Sequence, residues 1–373
     1  MKNQKLKPKH DPTPHTPYPT AKLMTGNEAI GEAAVGAGCR LYAGYPITPQ
    51  NELTAYMAKR MVEEKRVFIQ SESELAAINM VFGASVAGER AMTSSSSPGI
   101  SLKQEGISYL AGCRLPAVIV NVMRGGPGLG NIAPSQSDYF QATKGGGHGD
   151  YHIIVLAPAS AQEAFELTGL SFDLADLYRT PAMILIDGLL GQMMEPLVPR
   201  APYSTPHNKE KTGLSTKPWA LTGSQGREPN VIKSLLLKTG ELEELNKRLQ
   251  EVYQEIKNKE VRFEQLYCDD AELIVVAYGA VSRIARAVVK DLRKKKKRAG
   301  LLRPISLWPF PENILSKYAE KTKKFLVVEM SSGQMLEDVR LATGGKAEVY
   351  FYGRMGGGVP SEEEIGKEIL KAI

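Results

Sequence analysis

RLYAGYPITPQNELTAYMAKRMVEEKRVFIQSESELAAINMVFGASVAG, residues 40–88, repeats one pattern twice. An apolar β-like run at 40–47 precedes an amphipathic segment at 51–64, and a second run at 66–70 precedes a helix that opens at Glu74. This alternation predicts an α/β fold, a doubly wound parallel sheet covered on both faces by helices. Working outward, EAIGEAAVGAG follows Asn27, a suitable N-cap, and RAMTSS, a helix after Pro98 and the strand PAVIVNVM extend the pattern to Met123. Beyond a Gly-rich stretch from Gly125 to Gly149, the strand HIIVLA leads to a capping box, Ser160 with Glu163, and a helix with leucines at 167, 170, 174 and 177. PAMILID closes the domain near Asp187.

The chain divides by composition. Residues 1–23, rich in Lys and Pro, read as a disordered basic tail. Residues 24–195 form the first α/β domain, and 196–268 a connector whose Leu242, Leu245, Leu249, Val252 and Ile256 line one face of a helix. Residues 269–373 repeat the α/β theme through ELIVVAYG, a helix from Ser282, RPISLWPF, KKFLVVEM, a helix after Gly333, and AEVYFYG. The basic run Arg293 to Arg298 falls at a helix end, where cations suit the dipole. With no nucleic-acid fold signature beside it, the net charge of +6 does not imply a nucleic-acid partner.

Composition excludes several classes. The 373 residues, 42% hydrophobic and 24% charged, are ordinary for a globular chain of two or three domains. Cys39, Cys113 and Cys268 form no CxxC pair, so no iron–sulfur cluster or zinc ribbon is expected on this chain, and a reducing cytoplasmic setting is. The N-terminus has positive charge but no apolar core of a signal peptide, and no apolar run is long enough to span a membrane.

Candidate chemistry gathers at strand ends, where open α/β sheets place ligands. Gly128-Leu-Gly130-Asn-Ile-Ala133 formally fits the dinucleotide fingerprint. Pro127 and Pro134 bracket it, however, the stretch behind it is polar, and Asp150 precedes a strand instead of ending one, so an anion or substrate loop is the better reading. No phosphate-binding P-loop and no G-x-S-x-G elbow is present. Of five histidines only His148 and His152 could serve as a base, and a Ser-His-Asp triad has no positive support. In Tyr45-Pro46-Ile47-Thr48-Pro49, two prolines stiffen a loop that would hold the Thr48 hydroxyl in place, or simply make a rigid turn. Glu74 opens a helix of small and apolar residues. It is either a buried carboxylate needing a partner or an N-terminal acid facing the dipole. Arg124 leaves a strand for the Gly-rich loop, placed for a substrate carboxylate or for an ordinary salt bridge.

Four stretches carry a resemblance: YPITP at 45–49, QSESELAA at 70–77, SSSSPGISLKQEGISY at 94–109 and VMRGGPGLGNIAPSQSDYFQATKGGGHGD at 122–150. Together, and with a final GRMGGGVPS, they resemble the α subunit of 2-oxoacid:ferredoxin oxidoreductases, in particular the 2-ketoisovalerate (3-methyl-2-oxobutanoate) branch. The resemblance runs from about residue 24 to the C-terminus. It implies thiamine-diphosphate-dependent oxidative decarboxylation of a 2-oxo acid, with coenzyme A accepting the acyl group and ferredoxin the electrons. The first domain would be of the pyrimidine-binding type and the second a transketolase C-terminal-like domain. Glu74 matches the family glutamate that contacts the aminopyrimidine and favours its ring-protonated tautomer, so that the exocyclic nitrogen can remove the thiazolium proton. Thr48 matches a threonine near the substrate, Arg124 an arginine able to pair with its carboxylate, and Tyr45, Pro46 and Ile47 the loop beside the cofactor. No GDG motif followed by a metal-binding Asn occurs. Magnesium and the diphosphate are therefore expected on a β subunit, iron–sulfur clusters on partner subunits only, and a γ subunit and a ferredoxin-like δ subunit as further partners. GPGLG at 126–130 stands where the 2-oxoglutarate branch tends to carry GPSTG, which favours a smaller or branched apolar substrate. Pyruvate or 2-oxoglutarate as substrate, and a non-catalytic assembly subunit, are the rival readings.

Overall fold

Residues 40–123 do form the centre of a parallel sheet in the computed structural model, which describes residues 21–199 and 217–373. The first part of the chain runs β1 (Lys22–Thr25), α1 (Gly26–Gly36), β2 (Leu41–Gly44), α2 (Asn51–Glu63), β3 (Val67–Gln70), α3 (Glu74–Val86), β4 (Ala91–Ser95) and α4 (Ser97–Gly112). It continues with β5 (Val118–Met123), α5 (Tyr139–Thr143), β6 (Ile154–Leu156), α6 (Ala161–Tyr178), β7 (Ala182–Asp187), α7 (Gly188–Gln192) and β8 (Met194–Leu197). The second part holds α8 (Glu241–Lys259), β9 (Phe263–Leu266), β10 (Leu273–Val276), α9 (Gly279–Lys294), β11 (Ala299–Pro304) and β12 (Ser306–Trp308). It ends with α10 (Glu312–Lys321), β13 (Lys324–Glu329), α11 (Gln334–Thr343), β14 (Glu348–Gly353) and α12 (Glu362–Ala372).

The seven-stranded sheet has the order β12-β6-β7-β5-β4-β2-β3, and the five-stranded sheet β14-β13-β10-β11-β9. Strands β4, β5, β6 and β7 are buried along their whole length, as helices on both faces require. From β2 the chain steps outward to β3, then returns to the other side of β2 to lay down β4 and β5. That reversal opens a crevice at the carboxyl ends of β2 and β4, where ligands of open α/β sheets sit.

Several expectations shift. The N-cap of α1 is Thr25, which forms a capping box with Glu28, and not Asn27. The Asn27 amide instead donates to Pro49 O and Glu52 Oε2, at 2.9 and 2.8 Å, and anchors the end of the 45–49 loop. Lys22 and Leu23, counted with the basic tail, pair with β8 as part of β1, because the edge of β8 supplies the ladder partners. The tail before residue 21 and positions 200–216 of the connector lie outside the described residues. Within the connector, Phe263–Leu266 adds β9 antiparallel to β11. RPISLWPF is not one strand. Its Ser306–Trp308 part crosses over to pair antiparallel with β6 of the first sheet. Two strands therefore cross the division drawn by composition.

The two sheets are joined by polar clips. Fully buried Gln136 donates from Nε2 to Tyr278 O (2.9 Å) and from its backbone to Met330 O (2.9 Å), and it accepts from Met330 N (3.0 Å). Arg303, 2% exposed, makes a bidentate pair with Glu163 of α6 at 2.7 and 2.8 Å and reaches Glu264 of β9 at 3.1 Å.

Candidate active site

Four strand ends meet around the N-terminus of α4. The loop after β2 carries Tyr45, Pro46, Ile47 and Thr48; β3 leads through Ser71 to Glu74; β4 ends in Ser95; and β5 runs directly into Arg124. Beneath the first loop lies a buried hydroxyl and amide network. Ser94 Oγ donates to Gln50 Oε1 at 2.6 Å, Thr54 Oγ1 donates to the same oxygen at 3.0 Å, and Tyr42 Oη lies 2.6 Å from Ser94 Oγ. Gln50 also donates to Tyr45 O at 3.2 Å, so the loop is held from below with Tyr45 and Pro46 left exposed. The Thr48 hydroxyl accepts from Asn51 Nδ2 at 3.1 Å.

Arg124 ties this loop to the Gly-rich one. Its Nη1 donates to Thr48 O and its Nη2 to Leu129 O, both at 3.0 Å, while its buried Nε has no partner. Among the described residues no carboxylate pairs with it, so the salt-bridge reading of Arg124 is not what the fold builds. Gly130 needs its glycine here. At φ +61°, a Cβ would lie 1.8 Å from Gly125 O. No helix follows until Tyr139, which removes the dinucleotide-loop geometry. Asn131 closes the far side by donating to Gly356 O at 2.8 Å, so the Gly356–Gly358 run packs on this loop.

Glu74 is 6% exposed at the first position of α3, whose N-cap is Ser73, with Ser73 Oγ accepting from Ala76 N at 3.1 Å. Among the described residues its carboxylate receives no hydrogen bond. A Cβ on Gly99 would lie 2.6 Å from Glu74 Oε1 and 2.0 Å from Ser95 Oγ, so only glycine permits this approach of α4. The hydroxyls of Ser95 and Ser96 are buried and unpartnered. A buried acid without donors, next to orphaned hydroxyls at a crevice mouth, leaves polar capacity for a ligand to fill. An aminopyrimidine ring, with donor and acceptor nitrogens, fits that demand.

Other residues complete the frame without a signal in their spacing. The Ser97 hydroxyl donates to Asp138 Oδ2 at 2.6 Å and accepts from Arg124 N at 3.0 Å, locking α4 to the end of β5. Asn121 also donates to Asp138, at 2.9 Å. Burial pushes the Asp138 carboxyl above its ordinary range, opposed by the bonds from Ser97 and Asn121. Lys103 lies fully buried one turn below Gly99 on α4. The unbroken polar run TSSSS, residues 93–97, entering from a strand covered on both faces, is the one trace of this network in the sequence. His148 is exposed at the far end of α4, where its carbonyl accepts from Ser108, and so lies outside the site. His152 stacks on Trp308 at 4.7 Å, and burial, with Lys257 and Lys144 nearby, lowers its pKa. It is structural.

Comparison with known proteins bears directly on this crevice. Residues 32–235 match the family model described as pyruvate flavodoxin/ferredoxin oxidoreductase, thiamine diphosphate-binding, and residues 271–365 match pyruvate:ferredoxin oxidoreductase core domain II. The chain belongs to the 2-oxoacid:ferredoxin oxidoreductases. Within that family it is 49% identical, over 93% of its length and 97% of the relative's, to the ketoisovalerate oxidoreductase subunit VorB of Methanothermobacter thermautotrophicus. It is 38% identical to the 2-oxoglutarate synthase subunit KorA of the same organism, over 94% of this chain and 98% of that one. Its fold matches a 2-oxoglutarate:ferredoxin oxidoreductase from Magnetococcus marinus with a TM-score of 0.83 at 24% identity, covering 95% of this chain and 65% of the solved one. A split-gene transketolase shares the fold with a TM-score of 0.58 at 15% identity, covering 94% of this chain and 98% of that one. Among the described residues, no helix of this oxidoreductase subunit is long and apolar enough to cross a membrane.

Proposed function

We propose that this chain is the α subunit of a cytoplasmic complex that oxidatively decarboxylates a branched 2-oxo acid, 3-methyl-2-oxobutanoate, to its acyl-CoA. Ferredoxin takes the electrons. The observation that carries the reading is the Glu74 carboxylate, buried and, among the described residues, without a donor at the crevice where β2 and β4 diverge. When bound there, thiamine diphosphate supplies a nucleophilic carbon and an electron sink for the loss of carbon dioxide.

The chain's own residues then have distinct tasks. Glu74 holds a proton in common with the pyrimidine ring nitrogen, in a setting where few waters compete. Ser95 holds its hydroxyl beside it, both lying against Gly99. Thr48, steadied by Asn51 and the Pro49 anchor, faces the substrate from the β2 loop. Arg124 keeps the two loops in register through Thr48 O and Leu129 O, and its remaining N–H donors serve the substrate carboxylate. With two of its five donors already held by the loops, the guanidinium makes a light grip, as suits a carboxylate that must leave, because tight ground-state binding would not speed its loss. Magnesium and the diphosphate belong to a β subunit, and the iron–sulfur clusters to partner subunits, among them a γ and a ferredoxin-like δ subunit, since this sequence lacks the motifs that hold them. The 49% identity to a ketoisovalerate oxidoreductase subunit favours the branched acid.

The test uses the complex assembled and purified without oxygen. Coenzyme A-dependent dye reduction with 3-methyl-2-oxobutanoate, pyruvate and 2-oxoglutarate should give the highest kcat/KM for the branched acid. Glu74→Gln should leave assembly intact and lower kcat by about 10²- to 10⁴-fold. Full turnover by that variant would sink the assignment of Glu74, and preference for another acid would move the substrate but keep the chemistry.

A further inference from the structure

Lysine is almost never fully buried without a counter-charge, yet Lys103 is 0% exposed. Among the described residues its ammonium donates to Thr93 Oγ1 at 2.9 Å and has no carboxylate within ion-pair distance. It lies on the face of α4 that packs against α3 and β4. One turn before it, Gly99 admits Glu74 Oε1 and Ser95 Oγ; three residues after it, Gly106 admits Ile78, with a Cβ there falling 2.6 Å from Ile78 Cγ2. Ile78 is one turn below Glu74 on α3, and Thr93 and Ser95 are two apart on β4, pointing to the same face. Lys103 is thus closed into the wedge under Glu74, with a glycine on either side letting the helices meet above and below it.

Burial pushes the Lys103 ammonium down to about 7, and the one charged group that pulls it back up is Glu74. Near neutrality a good share of molecules still carry the charge. A structural lysine would be expected to end on a carboxylate or in water; this one ends on a neutral hydroxyl beneath the crevice.

We propose that Lys103 is a positioning residue for Glu74, whose positive charge beneath the crevice helps to hold the shared proton on the pyrimidine ring nitrogen. The inference rests on the reading of Glu74 given above. In the step concerned, the O–H bond at Glu74 breaks as the ring N–H forms, and Lys103 keeps its own proton throughout. The lysine touches neither cofactor nor substrate.

The test is hydrogen–deuterium exchange at C2 of thiamine diphosphate bound to the assembled complex, without 2-oxo acid, which isolates this step from turnover. Lys103→Met fills the same space, and Lys103→Gln keeps a donor for Thr93 Oγ1 without the charge. Both should slow exchange about tenfold or more, with thiamine diphosphate affinity and the KM for the 2-oxo acid within about threefold of wild type. Combined with Glu74→Gln, neither should slow it further. Exchange at the wild-type rate in either single variant, or a full additional loss in the Glu74→Gln background, overturns the proposal while leaving Glu74 in place. Should Glu74→Gln itself exchange like wild type, the reading of Glu74 falls and this one with it. If Lys103→Met fails to assemble, Lys103→Gln decides.

Discussion

At Lys103 the cost of burying a charge has a pH signature with a defined sign. Below about 7 the folded and unfolded lysine both hold a proton, and the burial penalty is present in full. Between there and the ordinary lysine value of about 10.4, the unfolded chain holds a proton that the folded one has released. Stability therefore rises with pH across that window, by at most about 1.4 kcal/mol per unit. Denaturant unfolding of wild type and Lys103→Met side by side should show the wild type gaining on the variant from pH 7 to 10. Parallel stabilities across that range would mean that the folded lysine keeps its proton, as a solvated ammonium does. Glu74 is the opposite case: its identity as an acid near a helix start was visible in the sequence, but its lack of a donor among the described residues was not.

The pairing of α3 and α4 depends on two glycines that look incidental in SPGISLKQEGISY. Gly99 carries the tighter constraint, because a Cβ would strike Ser95 Oγ at 2.0 Å and Glu74 Oε1 at 2.6 Å. Gly99→Ala should therefore push α4 away from α3, cost about 1–3 kcal/mol of stability, and weaken thiamine diphosphate binding in the assembled complex, measured by calorimetric titration. Unchanged binding would show that the carboxylate swings aside freely. The strands and helices of this region follow from periodicity, so most of the elements were legible. Which glycines admit neighbours was not, because close approach is a property of two segments and periodicity reports on one. The Asn27 N-cap failed for a related reason. Thr25 and Glu28 satisfy two donors at once, and the Asn27 amide finds better partners in Pro49 and Glu52, distant in sequence.

Across the whole molecule, the second sheet is clipped to the active-site loops by Gln136, which serves Tyr278 and Met330 together. Gln136→Ala would leave buried Tyr278 O and Met330 N each short of a partner, at about 1–3 kcal/mol per group. Denaturant unfolding should then show a lower midpoint, with the second sheet losing structure first when followed by hydrogen exchange. A midpoint within error of wild type would mean that water takes over both groups. Because Gln136 also ends the Gly-rich loop that Arg124 spans, the same variant should raise the KM for the 2-oxo acid more than it lowers kcat.

Read alone, the sequence determined the alternation of strands and helices, the two α/β parts, and the four motif stretches that resemble one enzyme family. Those are local or additive signals, written in periodicity, turn residues and residue type. The tertiary structure decided the rest. It sent Ser306–Trp308 back to the first sheet and added Phe263–Leu266 to the second, since a strand joins whichever edge offers it unpaired donors and acceptors. It turned Arg124 onto two loop carbonyls, removed His148 from the crevice to the far end of α4, and closed Lys103 beneath Glu74. Each of these depends on which segments meet when the strand order reverses at β2 and β4, and burial, charge coupling and orphaned hydrogen bonds exist only once they have met.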